Sequence, residues 1–144
     1  ILQNLCGVPR GHELRLLGAF AGIEALLSFA PDQNDPHSSI GRLLNRNLRL
    51  VDIWMQEHTG DDLGFATFYK NGPSKKAINA LYSVRSAVAH GGDIAGTTSK
   101  LAARMNSTSP TWPTVVAFVD SLFRQVTTMA LIKPEYFEAL RGHP

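Results

Sequence analysis

The chain reads as an all-α, up-and-down bundle of four main helices joined by loops and short helical turns. Three observations predict this. Apolar residues recur at three- and four-residue spacing in four long segments. No stretch alternates apolar and polar residues long enough to make a strand. Gly, Pro, Asn and Asp gather between the segments, at Ala30-Pro31-Asp32, Asn71-Gly72-Pro73, Gly91-Gly92 and Lys133-Pro134.

Each element follows from its own pattern. Leu16, Phe20, Ile23 and Leu27 predict a first helix over 11–29, ended by Ala30-Pro31-Asp32. Glu24, four residues past Phe20, borders or enters that stripe. It is either an exposed acid on the stripe's edge or a buried partner for Arg85 or Arg46. Asp32-Gln33-Asn34-Asp35-Pro36 predicts a turn. A second helix over 37–57 carries Ile40, Leu44, Asn47, Leu48, Val51 and Trp54 or Met55 on its inner face. Arg42, Arg46 and Arg49 recur at i, i+4, i+7 on a neighbouring face. Such a stripe either tracks phosphates, which makes these arginines candidate substrate-binding residues, or is a solvated face with stems packed on the core.

The apolar run 65–69 predicts a short helical turn on the core. Pro73 falls in the first turn of a third helix that runs to His90. Residues 91–110 are rich in Gly, Ser and Thr and read as loop, with one helical turn at 100–105. Val115, Val119, Leu122, Val126 and Met129 mark a fourth helix ending at Ile132. Phe118 and Phe123 widen its stripe and predict burial on more than one side. A short last helix over 135–141 follows.

Length and composition bound the rest. At 144 residues the chain is one domain, 1–144, long enough to bury a core. With 14 basic and 12 acidic residues, its net charge of +2 does not announce nucleic acid. The single cysteine, Cys6, excludes an internal disulfide framework and a Cys-rich zinc site. No cofactor and no metal are expected: His-Glu-x-x-His, clustered Asp residues, a Gly-rich phosphate loop and a nucleophile elbow are all missing. No uninterrupted apolar run approaches the ~18 residues of a membrane span. A cytoplasmic protein without a membrane partner is therefore expected. The start, Ile1-Leu2-Gln3-Asn4, is read as an internal fragment or a trimmed chain, which leaves room for further domains in a longer protein.

The most informative stretch is Leu81-Tyr82-Ser83-Val84-Arg85-Ser86-Ala87-Val88-Ala89-His90-Gly91-Gly92-Asp93. With 14 basic residues and five His in the chain, an Arg and a His five apart carry little weight alone. Their setting carries more. Arg85 falls inside the apolar stripe Ile78, Leu81, Arg85, Val88, where a guanidinium needs a carboxylate, a phosphate or a partner subunit. His90 sits at a predicted helix end beside glycines that let another backbone approach, and its residue type titrates near neutral pH. His12, His37 and His58 lie near predicted helix ends and His143 in the tail, which suits solvated or capping roles.

The run Leu-Tyr-x-x-Arg-Ser-x-x-x-His-Gly over 81–91 resembles the HEPN family, small all-α domains with an Arg-x-x-x-x-His signature, and within it the Apea-like branch. A looser likeness reaches back to Gly22-Ile23-Glu24-Ala25-Leu26-Leu27 and to residues 42–50, and so spans most of 12–133. The family includes metal-independent ribonucleases, toxins and members with no known catalysis. Toxin members often carry Asn or Asp directly after the Arg, where this chain has Ser86. One subgroup has a Tyr two positions past the His, where this chain has Gly92.

The resemblance implies a homodimer with a shared Arg/His site acting on RNA. The physical chemistry is explicit. A base takes the 2′-hydroxyl proton, an acid protonates the leaving 5′-oxygen, and a fixed cation stabilises the phosphorane. His90 suits either proton role, and Arg85 suits the cation role because its fork binds two phosphate oxygens. Ser86, four residues before His90, can orient it or bond the phosphate, with Glu24 and Gly91 in support. On a straight helix five steps of about 100° leave Arg85 and His90 ~140° apart. They converge only if the helix end unwinds or if two copies pair. Two readings stand: a metal-independent endoribonuclease, and a catalytically silent HEPN-like module for dimerisation or for binding RNA or a nucleotide.

Overall fold

A computed structural model describes residues 12–28, 34, 36–70, 72–106 and 112–142. The predicted turn at 32–36 and the stops at 29–31 lie almost wholly outside these residues, as do the side chains of His37 and His143. The described chain forms α1 (Glu13–Leu27), α2 (Pro36–Thr59), α3 (Phe65–Phe68), α4 (Ser74–His90), α5 (Ile94–Ala102), α6 (Trp112–Ile132) and α7 (Pro134–Gly142). The all-α bundle predicted from the stripes is what the chain adopts. Among the described residues the only β contact is an isolated antiparallel bridge between Tyr69 and Met105.

α1 is the hub, packing against α6, α2, α4 and α7. Leu16, Phe20, Ile23 and Leu27 are all within 1 % of full burial, as their spacing requires. Small residues let α6 come close: Ala19 and Gly22 are buried, and a Cβ built on Gly22 would overlap the Phe123 ring. His12 starts α1 by accepting the Leu14 N–H on Nδ1 at 3.1 Å, the capping role expected of it. At the other end, buried Asn47 of α2 donates to the Leu27 carbonyl. A polar residue on an apolar face thus satisfies a helix-end acceptor that would otherwise be orphaned.

α2 ends two residues beyond the predicted helix. Asp52, inside the helix, holds the following loop: buried, it accepts the Leu63 N–H at 2.7 Å on one oxygen and Gln56 Nε2 at 3.2 Å on the other. Gly64, at φ 82°, then turns the chain into α3, whose Phe65 and Phe68 are buried. Phe68 stacks on Phe118 at 4.0 Å and Phe65 meets it edge-on at 5.8 Å. The wide apolar face of α6 is therefore used within the chain, on α1 to one side and α3 to the other.

α5 corrects the sequence reading, which made 91–110 a loop with one turn at 100–105. Asp93 caps a nine-residue helix, accepting the Gly96 N–H at 2.8 Å, and Leu101 anchors it at 2 % exposure. One good cap and one buried leucine outweigh the poor intrinsic helix propensity of Gly and Thr. The part of that segment over 107–111 lies outside the described residues.

α6 is long and apolar enough to cross a membrane by length and composition, with a mean hydropathy of 1.5. Its apolar side is spent on the bundle: Val115, Val116, Val119, Leu122, Phe123, Val126 and Met129 are buried. Asp120 on the same helix takes a bidentate contact from Arg15 of α1, at 3.2 and 3.0 Å, and a second cation, Arg124, at 3.0 Å.

Candidate functional site

α4 carries the signature, and its sequence explains how it starts and stops. Pro73 caps it with φ −64° and no side-chain bond. Ala77, Ile78, Leu81 and Val84 supply the buried face. The helix ends where Gly91 adopts φ 65° and the Gly92 N–H reaches back to the Ala87 carbonyl at 2.9 Å, the long bond of a Schellman motif.

Arg85 lies on the shoulder of the apolar stripe, with 22 % of its side chain exposed. Its Nη2 donates to Glu24 Oε2 at 2.9 Å. Of the two placements open for Glu24, the structure selects the ion pair, and it selects Arg85 over Arg46 as partner. The contact is one-sided. Glu24 Oε1 is buried without a hydrogen-bond partner, and the Nε and Nη1 of Arg85 have no acceptor among the described residues. The guanidinium also sits 5.6 Å from the centre of the Tyr82 ring. Burial pushes the Tyr82 phenol above its ordinary pKa, with the Arg85 cation opposing that shift and the Glu24 carboxylate adding to it.

His90 is the last residue of α4 and is exposed. The helix stays regular to that point, so its end does not unwind to bring Arg85 and His90 together. Arg85 and His90 remain ~140° apart around the axis. Ser86 is half-buried one turn before His90, and its hydroxyl makes no hydrogen bond among the described residues. Gly91 supplies the left-handed stop of the helix. Within the chain the signature thus gives two polar stations, the Arg85–Glu24 pair and the Ser86–His90 end, without joining them.

The arginine stripe of α2 takes a more definite shape than its spacing alone defines. Arg42, Arg46 and Arg49 line a groove of about 390 Å³ with Asn45 of α2 and Lys75 and Asn79 of α4. Arg42 and Arg49 are exposed. Arg46 is tethered, donating from Nε to Asn47 Oδ1 at 3.0 Å and from Nη2 to the Leu140 carbonyl at 3.4 Å. Asn45, 6 % exposed, clamps the two helices: its Nδ2 donates to the Lys75 carbonyl at 3.1 Å and to Asn79 Oδ1 at 2.7 Å. Lys75, Asn45 and Asn79 are the residues that sequence reasoning missed. A signal for Asn45 was present, since it lies between two arginines yet one step from the apolar residue Leu44.

His58 bonds the Trp54 carbonyl through Nδ1 at 2.9 Å and stacks on the Trp54 ring at 4.3 Å, away from α4's signature. Among the described residues no three His, Cys, Asp or Glu side chains come together as metal ligands would. No family model, no curated protein and no solved structure matches the chain.

Proposed function

We propose that the chain is a HEPN-type domain that cleaves RNA without a metal, at a site completed when two copies pair at the C-terminal end of α4. The observation that carries this reading is the half-used guanidinium of Arg85. Glu24 orients it through one nitrogen and leaves the rest of the fork for a second anion. The exposed His90 from the partner copy then supplies proton transfer on the scissile phosphate. The 2′-oxygen bonds phosphorus, the bond to the 5′-oxygen breaks, and the products are a 2′,3′-cyclic phosphate and a 5′-hydroxyl.

One observation favours the second reading, a catalytically silent module for dimerisation or for binding RNA or a nucleotide. The same ion pair already satisfies the charge of Arg85, and His90 stands on another side of the helix. Incubation with mixed RNA in chelator separates the two. For the nuclease, wild type leaves cyclic phosphate ends, and His90→Ala loses about 10²–10⁴-fold in rate while keeping its helical spectrum. Arg85→Lys rescues poorly, because an ammonium cannot make the bidentate contact. Sedimentation should show a dimer burying at least ~1,200 Å². Activity that requires magnesium, or that survives in His90→Ala, moves the domain to the module reading.

A further inference from the structure

The groove between α2 and α4 gathers like charges. Arg42, Arg46, Arg49 and Lys75 bring four cations to it, and among the described residues no carboxylate lines it. In a chain of net charge +2 that is a local concentration of charge. The ion pairs found among the described residues, Arg15 and Arg124 with Asp120 and Arg85 with Glu24, all lie elsewhere. Arg42, Arg49 and Lys75 have no ion pair among the described residues.

Lys75 is placed against the local field. It stands in the first turn of a 17-residue helix that has no acidic residue in that turn and no side-chain cap. The amide end of a helix repels a cation and favours an anion. A bound anion would relieve both the helix end and the neighbouring arginines. The groove is also held ready. The Asn45 amide must donate to the Lys75 carbonyl, which fixes its orientation. Asn79 Oδ1 is therefore the acceptor of the second bond, and Asn79 Nδ2 has no partner among the described residues.

We propose that this groove binds the phosphate backbone of a single-stranded nucleic acid. Its size suits one strand. A volume of about 390 Å³ lies at the small end of ligand clefts, roughly 300–1,000 Å³, and is enough for a phosphate and its sugar. Arg42 to Arg49 spans two turns, about 10 Å along α2, more than one phosphate of a strand. The contacts are cations and an amide, so binding should be salt-sensitive and tolerant of base sequence. On α4, Lys75, Asn79, Tyr82 and Ser86 recur at i, i+4, i+7 and i+11, one face of the helix. Tyr82 packs beside Gly41 at the groove's lining. A strand seated in the groove is thereby aimed along α4 toward Ser86 and His90. The choice of a nucleic acid over another polyanion rests on the RNA reading above; the groove's attraction for phosphate does not.

Fluorescence anisotropy with a labelled 12-nucleotide RNA, 2′-O-methylated to block cleavage, tests this in chelator between 50 and 200 mM salt. Wild type should bind with a log–log salt slope of about −2 to −3, from three or four cations at about 0.7 each. Arg42→Ala/Arg49→Ala/Lys75→Ala should weaken binding at least tenfold and flatten the slope by about 2. Lys100→Ala/Arg104→Ala/Lys133→Ala removes the same charge elsewhere and should bind within twofold of wild type. Matched melting curves confirm that all three proteins are folded. The proposal is overturned if the groove variant binds as wild type does, if both triple variants weaken equally, or if wild type does not bind the strand at 50 mM salt. Preference for duplex RNA or for vesicles of anionic lipid over the strand overturns it too. His90→Ala keeps the groove's affinity, which separates the two proposals. Lost cleavage with retained binding supports both, cleavage unaffected by His90→Ala removes only the nuclease reading, and cleavage by a protein whose groove variant binds normally removes only the groove.

Discussion

Arg85 of α4 and Glu24 of α1 are joined by a 2.9 Å hydrogen bond that closes 61 residues of chain, and among the described residues the other oxygen of Glu24 is buried with no partner. An apolar stripe tolerates an arginine here because the neighbouring helix presents a carboxylate at the same level. The bond ties two helices together and sets the direction of the guanidinium, so one contact serves both the fold and the candidate site.

Breaking that pair should be costly but less so than for a fully buried one, since the side chains keep 22 % and 15 % exposure. Glu24→Ala should destabilise by about 2 kcal/mol in urea denaturation, below the roughly 3–5 kcal/mol of deeply buried pairs. A cycle with Arg85→Ala should show a coupling of about 1 kcal/mol or more. Additive single effects would mean that the pair contributes nothing as a pair.

The α1–α6 crossing depends on Gly22. Gly22→Ala should lose about 1–3 kcal/mol, because the added methyl overlaps the Phe123 ring and a packed core resists extra volume. Phe123→Leu introduced into that variant should recover part of the loss. If thermal melts place Gly22→Ala level with wild type, the helices do not cross this closely.

Asp52 holds the loop after α2 to the core. Asp52→Ala strands the Leu63 N–H in a buried site and should cost about 1–3 kcal/mol. Asp52→Asn keeps one acceptor and should lose less. Faster amide exchange at Leu63 in the alanine variant, with α1 unaffected, is the expected signature.

Alkaline pH should loosen the fold through two phenols. Burial raises Tyr82, with Arg85 opposing and Glu24 adding to the shift, and burial also raises Tyr136, with Glu57 adding. A phenol whose folded pKa is raised holds its proton longer in the native state, so its contribution is complete below the ordinary tyrosine pKa of about 10 and is lost as pH climbs past it. The melting temperature should therefore fall from about pH 10 upward, and Tyr82→Phe/Tyr136→Phe should flatten that fall. An unchanged slope in the double variant would assign the alkaline loss to other groups.

The sequence by itself determined the helices and much of the core. Leu16, Phe20, Ile23 and Leu27, or Val115, Val119, Leu122 and Val126, repeat at the period of a helix, and a repeat within one segment needs no knowledge of any other segment. It also exposed Arg85 as an anomaly, because a charge inside an apolar stripe is a local contradiction. Composition misread α5, since a cap at Asp93 and the burial of Leu101 are particular contacts and not averages. Only the tertiary structure decided that Glu24 meets Arg85, that Asn45 ties α2 to Lys75 and Asn79 of α4, and that the α2 arginines gain a lysine from α4 and become a groove. These pairings span 30 to 61 residues. They depend on the angle and register at which helices cross, and that is fixed by how whole faces interlock. No local period in the chain encodes it.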